Sequence, residues 1–236
     1  MPDPRDVVID VRGVQKDYRG LRPLRLRRFD VRERESVALL GFDLAAAEVF
    51  VNLITAATVP DAGEVRAFGQ LTTEIADADT WLRSLDRFGI VSERAVVLDS
   101  MTVRDNLTMP ISMALHDVPA DVRSAVEALA SEVGLLELDA PVASLQPLAR
   151  LRLRLGRALG PGPRVLLAEH PNASISADDV AGFASDYARI VSTRGLTSVV
   201  LTADTSFATS VATRVLSLQP ATGELEPLSS WRRWFG

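Results

Sequence analysis

The stretch SVALLGFDLAAAEVFVNLIT, residues 36–55, decides the fold class of this chain. It contains an apolar strand, Ser36–Leu40, and an apolar helix, Val49–Thr55, joined by residues 41–48. A strand, a loop of the form GxxxxGK[ST] and a helix make a phosphate-binding loop. Glycine N–H groups surround the phosphates, a lysine reaches their oxygens and a hydroxyl holds Mg²⁺. The spacing therefore predicts the backbone of such a loop within an α/β fold.

Residues 41–48 keep that backbone pattern but lack its chemical groups. Gly41 remains, whereas the inner glycines, the lysine and the hydroxyl are replaced by Leu44, Ala46, Ala47 and Glu48. Side chains at the glycine positions prevent the backbone from closing on a phosphate. A carboxylate about 5 Å from a phosphate repels it by roughly 3 kcal/mol at an effective dielectric near 20. We expect no triphosphate to bind in the usual mode, and we expect Glu48 to cap the helix from within.

The composition is that of an ordinary globular protein. The 236 residues are 47% hydrophobic and 24% charged, which fits one large α/β domain or two lobes. We expect neither a membrane span nor a signal peptide, and the absence of cysteine fits a cytoplasmic protein. The net charge of −5 argues against nucleic acid as a partner. Lys16 is the only lysine, so no lysine is available for a phosphate site.

Strand and helix signals alternate along most of the chain. Strands are predicted at 7–11, 29–40, 63–67, 164–168, 198–202 and 215–218, and helices at 119–134, 148–159, 178–193 and 206–212. Strands that alternate with helices indicate a mostly parallel sheet. We predict one domain over 1–236, in which 1–99 and 160–236 form the core lobe and 100–159 form a helical lobe.

Several short segments between these elements have the order and spacing of a known family. They are PDAGEV (60–65), MTVRDNL (101–107) with MPI (109–111), VGL (133–135), RAL (157–159) and RVLL (164–167). Through them nearly the full chain resembles the nucleotide-binding subunit of ABC transporters, above all the stand-alone subunits of lipoprotein-release and macrolide-efflux permeases. The resemblance implies a P-loop NTPase-like ABC ATPase fold with a mostly parallel core sheet, an N-terminal antiparallel β subdomain and a helical subdomain. It also places Tyr18 where such proteins stack adenine.

The positions that carry catalysis in this family are replaced. By resemblance, the glutamine-loop residue, the metal-linked aspartate, the general-base glutamate and the switch histidine correspond to Glu93, Glu169, His170 and Ala203. The signature LSGGQ reads LQPLA at 145–149. Together with Ala47 and Glu48, these changes indicate a degenerate ATPase with no catalytic residue, no metal and no cofactor. His170 has the pKa range of a general base, but it would need a metal-held phosphate to act on.

Three functions follow from the resemblance. The first is a non-catalytic subunit that scaffolds or regulates a membrane permease complex. Its partners would be a permease subunit and an active ATPase paralogue, in a homo- or heterodimer at the inner face of the cell membrane. The second is a weak ATP-binding or ATPase subunit that uses Mg²⁺-ATP, Tyr18 and Gly41. The third is a free-standing protein-interaction module.

The family receives the coupling helix of its permease in a groove that corresponds here to about 81–115. Candidate lining residues are Trp81, Leu85, Phe88, Met101 and Met109. For any one of them, an ordinary core role is an equal alternative.

The C-terminal sequence WRRWFG, residues 231–236, has two interpretations. In one it docks on a partner or an anionic membrane surface, and in the other it folds back on the domain.

Overall fold

The computed structural model describes residues 7–18, 20–75, 77–114 and 116–228, so the WRRWFG sequence lies outside the described residues. The strands are β1 Val7–Lys16, β2 Leu24–Arg32, β3 Ser36–Leu40, β4 Ala62–Ala67, β5 Gln70–Leu71, β6 Phe88–Val91, β7 Val165–Glu169, β8 Thr197–Leu201, β9 Arg214–Gln219 and β10 Glu224–Pro227. The helices are α1 Leu44–Ile54, α2 Ala78–Leu85, α3 Val103–Thr108, α4 Ala120–Val133, α5 Pro147–Leu159, α6 Ala177–Arg194 and α7 Thr205–Val211. Over these ranges, no helix has the length and apolar character to cross a membrane.

The strands form two sheets. Strands β2, β1, β4 and β5 make an antiparallel sheet, and the second sheet has the order β10-β9-β3-β8-β7-β6. In the second sheet every neighbouring pair is parallel except β10 with β9. The mostly parallel core and the N-terminal antiparallel sheet confirm the predicted fold class. Parallel strands end at one edge, so the segments after β3, β6, β7 and β8 come together there.

Residues 29–40 form parts of two strands, so the prediction of one continuous strand is wrong. Strand β2 ends at Arg32 and β3 begins at Ser36, and they belong to different sheets. Between them Arg34 has a φ of 62°, which reverses the chain direction. The sequence gives no turn signal here because neither glycine nor proline lies between the two strands.

The parallel sheet separates two apolar clusters. Val37 and Leu39 of β3 contribute to the cluster that contains α1 and the antiparallel sheet, whereas Ala38 and Leu40 contribute to the cluster under helices α3 to α7. The alternation arises because successive strand residues point to opposite faces. Both faces are therefore covered, as expected for a parallel sheet. The carboxyl edge of the sheet, where the parallel strands end, is therefore the expected place of a functional site.

Helix α5 lies very close to strand β6. A Cβ atom added to Gly89 of β6 would be 2.5 Å from the carbonyl oxygen of Ala158 in α5, a distance that no side chain tolerates. Gly89 thus permits the contact that holds α5, and the helices packed on it, beside the segment that follows β6.

Candidate functional site at the carboxyl edge of the parallel sheet

Helix α1 begins at Leu44, five residues before the predicted start at Val49. Most of the expected phosphate loop is therefore the first turn of this helix. Asp43 is its N-cap: the carboxylate oxygen Oδ1 accepts a hydrogen bond from the Ala46 N–H at 2.7 Å, and the Asp43 carbonyl accepts one from Ala47 at 2.9 Å. The expectation that Glu48 caps this helix is wrong. Of the N–H groups that would face a phosphate, that of Ala46 already binds the Asp43 carboxylate and that of Ala47 the Asp43 carbonyl.

Replacement of Asp43 with alanine should lower the free energy of unfolding by about 1 kcal/mol, because one helix N–H loses its acceptor. Replacement with asparagine should retain most of the stability, since its side-chain oxygen is also a good cap. Urea unfolding of both variants measures the difference. Equal stability of the alanine and asparagine variants would show that the cap contributes nothing.

Arg94, two residues after Ser92 in the segment that follows β6, lies between two carboxylates. Its Nη2 is 2.6 Å from Oε1 of Glu169 and its Nε is 3.2 Å from Oε2 of the same residue, which makes a bidentate pair. Its Nη1 is 3.1 Å from Oε1 of Glu48. The Ser92 hydroxyl donates to Oε2 of Glu169 at 2.8 Å. The guanidinium thus neutralises Glu169, whose side chain is only 6% exposed, together with Glu48.

This arrangement does not fit a magnesium nucleotide. Glu48 stands at the hydroxyl position of the loop pattern and Glu169 at the position of the metal-linked acid, and both already bind the fixed cation of Arg94. A metal ion between them would have to displace the guanidinium. The described parts of the chain contain no group of three or more histidine, cysteine or acidic side chains that could hold a metal. Ala47, at the lysine position, is fully buried in the apolar cluster around α1.

Glu93 forms a second ion pair, with Arg154 of helix α5. Nη1 of Arg154 is 2.7 Å from Oε1 of Glu93, and the Ser174 hydroxyl donates to the same oxygen at 2.7 Å. The side chain of Arg154 is 9% exposed, so its charge depends on this partner. Glu93 therefore joins three segments: the turn after β6, helix α5 and the loop after β7.

His170 and Ala203 do not form a catalytic pair. His170 is buried, has a φ of 43° and donates its backbone N–H to the Leu201 carbonyl at 2.7 Å, while its ring Nε2 has no hydrogen-bond partner among the described residues. Ala203 is exposed and carries no group that could hold a proton. Its neighbour Thr202 donates to the Asn172 side chain at 2.9 Å, and Asn172 donates to Asp204 at 3.2 Å. The loops after β7 and β8 are thus hydrogen-bonded to each other.

Tyr18 and Gly41 line a cleft of about 370 Å³ beside the start of α1. Asp43 and Ala46 share this cleft. Burial, and secondly the charge of Asp43, raises the pKa of the Tyr18 phenol. Gly41 has a φ of 85°, so a residue without a side chain is required there. The structure therefore places Tyr18 and Gly41 in the same cleft, and their role in binding a nucleotide stays a prediction.

The predicted partner surface is divided between the core and the surface. Phe88 is 7% exposed and its ring lies 5.3 Å from that of Phe68, so the prediction that Phe88 lines a partner groove is wrong. The remaining candidates are half-buried: Trp81, Leu85, Met101 and Met109. The Trp81 indole donates to the Thr55 carbonyl at 3.0 Å. The region also contains the exposed apolar side chains of Leu82, Val96 and Met113.

Sequence reasoning missed Arg94 and Arg154. The signal for Arg94 was available, because two acids at neighbouring positions of a site need a cation, and Arg94 directly follows Glu93. Arg154 lies within the arginine-rich stretch LARLRLRLGRAL, residues 148–159, in which no pattern distinguishes the buried arginine from the half-buried ones.

No protein-family model matches the chain. Curated relatives include the methionine import ATP-binding protein MetN 2 of Pseudomonas aeruginosa, 27% identical over 83% of this chain and 59% of that protein. The sulfate/thiosulfate import ATP-binding protein CysA of the same species is 27% identical over 94% of this chain and 66% of that protein. ATP-binding cassette sub-family A member 6 of Mus musculus is 24% identical over 71% of this chain and 10% of that protein. The chain thus spans less than two thirds of each of these relatives.

Solved structures show the same architecture. The dimeric bacterial ABC transporter cassette MJ0796 superposes with a TM-score of 0.76 at 21% identity, over 92% of this chain and 96% of that one. The cbiO1 subunit of a Clostridium perfringens ABC transporter complex superposes with a TM-score of 0.77 at 17% identity, over 93% and 87% of the two chains. The chain therefore has the fold of an ABC transporter ATP-binding cassette, and its relatives in sequence are ABC transporter ATP-binding proteins.

Proposed function

We propose that the chain is a catalytically silent ABC-ATPase-like subunit, which scaffolds or regulates a membrane transporter complex without hydrolysing ATP. One observation carries this proposal: the guanidinium of Arg94 occupies the space between Glu48 and Glu169 and neutralises both. These are the positions at which a working cassette would need a hydroxyl and an acid for its metal. Because the Arg94 guanidinium already neutralises both carboxylates, they do not need a metal ion as a counter-charge.

The remaining positions support the same proposal. The N-terminus of α1 is capped by Asp43, and Ala47 supplies no charge for a phosphate. At the general-base position His170 has no acid or hydroxyl partner on its ring Nε2 within the described residues. Electrostatic stabilisation of the transferred phosphoryl group is the main task of a phosphoryl-transfer site. An acid at the hydroxyl position and the lack of a cation at the lysine position work against that task.

The proposed partners are a permease subunit and an active ATPase paralogue, and the proposed location is the cytoplasmic face of the membrane. The support is the similarity to import ATP-binding proteins and to a cassette solved as a dimer. Within this group we propose the lipoprotein-release and macrolide-efflux type, on the segments quoted from the sequence. Half-buried Trp81 and Met109 and exposed Leu82 are the residues that we propose contact the permease.

We expect no saturable binding of Mg²⁺-ATP to the full chain by calorimetry up to about 1 mM, the range of weak ligands. ATP turnover should not exceed that of a buffer blank. The MJ0796 cassette, whose structure contains ADP and phosphate, is the matched positive control. Saturable binding at micromolar ATP would overturn the proposal.

A second experiment tests the scaffold role. Retention of a permease on the tagged chain after membrane solubilisation would support this role, and absence of a permease from the eluate would favour a free-standing module.

A second candidate, a weak nucleotide-binding subunit, is favoured by the open cleft beside Tyr18. In that case binding should depend on the Tyr18 ring but not on Mg²⁺, because Arg94 already holds the acids. Loss of a measured ATP affinity in the Tyr18→Ala variant, with no effect of EDTA, would establish this candidate in place of the first.

A further inference from the structure

The charge of this protein is distributed very unevenly. Residues 16–34 contain eight basic and three acidic side chains, a net charge of +5, although the whole chain has a net charge of −5. A basic segment in an acidic protein indicates a surface that meets a negatively charged partner. This segment includes the turn before β2 and the strand β2 itself.

The structure identifies which of these charges are available. The Arg22 and Arg25 side chains line one shallow groove together with Pro23, Pro220 and Ala221. Neither guanidinium has an ion pair or side-chain hydrogen bond with any residue that the structure describes. Arg27, by contrast, is paired with Glu224 at 2.7 Å. Arg22 and Arg25 are thus adjacent, exposed and uncompensated by the described part of the protein.

Leu21 lies next to these two arginines and is 105% exposed, more than in an extended reference chain. The Leu21 side chain therefore contributes no burial energy to the folded monomer. It also borders the cleft that contains Arg22 and Arg25, so the apolar side chain and the two cations belong to one surface. We call Leu21, Arg22 and Arg25 the Leu21 surface.

We propose that the Leu21 surface binds an anionic phospholipid bilayer, with the two guanidiniums on lipid phosphates and Leu21 inserted among the acyl chains. Guanidinium pairs bidentately with phosphate oxygens, which a lysine cannot do. A fully exposed apolar side chain beside two cations is suited to the boundary between headgroups and acyl chains. A partner that offers anionic groups alone, such as polyglutamate or DNA, would use the arginines but would leave Leu21 in water. The proposal does not depend on the function proposed above.

The test is flotation of the full chain with vesicles of phosphatidylcholine, with and without phosphatidylserine. We expect binding only to the anionic vesicles, and loss of binding when the ionic strength rises from about 0.1 M to about 1 M, which cuts the Debye length from about 10 Å to about 3 Å. The Arg22→Gln/Arg25→Gln variant should bind about 25-fold more weakly, at roughly fivefold per arginine. The Leu21→Ser variant should bind about tenfold more weakly.

A matched control is the Arg83→Gln/Arg123→Gln variant, which loses the same charge from two other exposed positions. It should bind within twofold of the parent, about the precision of such a comparison. An equal loss in both double variants would overturn the proposal, because general charge would then explain binding. No flotation with anionic vesicles would also overturn it. So would an unchanged Leu21→Ser variant combined with tight binding of polyglutamate or DNA, since that result would assign the arginines to a protein or nucleic-acid partner.

Discussion

The Arg94→Ala variant should lose about 2–4 kcal/mol of unfolding free energy. The substitution leaves the Glu169 carboxylate, 6% exposed, with the Ser92 hydroxyl as its remaining side-chain partner. Breaking a fully buried pair by removing one partner costs about 3–5 kcal/mol, and we expect less because the Arg94 side chain is 43% exposed and water can reach the vacated space. For a protein of this size, the melting temperature should fall by roughly 5–15 °C. Urea unfolding and calorimetry measure the two quantities.

Two further variants separate the charge of Arg94 from its packing. Glu169→Gln combined with Arg94→Ala should recover part of the lost stability, because no charge then remains buried. Glu48→Gln alone should change the stability by less than about 1 kcal/mol, since both members of that pair are more than 40% exposed. Added Mg²⁺ should stabilise Arg94→Ala more than the parent, because the freed carboxylates are oxygen ligands. An Arg94→Ala variant within about 0.5 kcal/mol of the parent would contradict the assigned role.

The Glu93→Ala variant should cost about 1–2 kcal/mol: the buried guanidinium of Arg154 would lose its carboxylate partner, but Glu93 is 49% exposed, so water can replace part of the interaction. The Ser174 hydroxyl could accept one hydrogen bond in its place but could not neutralise the charge. Since Arg154 belongs to α5, the change should also loosen the contact between α5 and the turn after β6. Hydrogen exchange of the α5 backbone, compared with that of α6, reports this local effect.

The control is Glu93→Ala combined with Arg154→Met, which removes both charges and retains a long apolar side chain. Replacement of buried charges by well-packed apolar groups is often neutral, and in this pair Arg154 is the buried member. We therefore expect the double variant to be more stable than Glu93→Ala alone. A double variant that is as unstable as the sum of the two single variants would mean that the ion pair itself contributes nothing.

The sequence predicts the architecture because that information is local. The apolar runs at β3, β7 and β8 and the helix signals at α4 to α7 each occupy a few consecutive residues, and the structure has all of them within a few residues of the predicted bounds. The start of α1 was missed although Asp43 is a good N-cap residue. The phosphate-loop pattern assigned residues 41–48 to a loop, and this assignment outweighed the capping signal.

The contacts of the site could not be predicted in the same way because they join distant positions. Arg94 meets Glu169 across 75 residues and Arg154 meets Glu93 across 61. The sequence shows which groups are missing from a phosphate site, but it does not show which side chain fills the space. The three-dimensional arrangement at the sheet edge determines that Arg94 pairs with Glu169 and that Arg154 pairs with Glu93.

The turn after β6 is fastened at two consecutive residues, by Glu93 to α5 and by Arg94 to α1 and β7. The charged side chains at these two positions are therefore already paired within the protein. Under the function proposed here, occupancy of the partner then follows mass action alone. The amount of protein that the cell makes would then set this occupancy, and the cellular ratio of ATP to ADP would not change it.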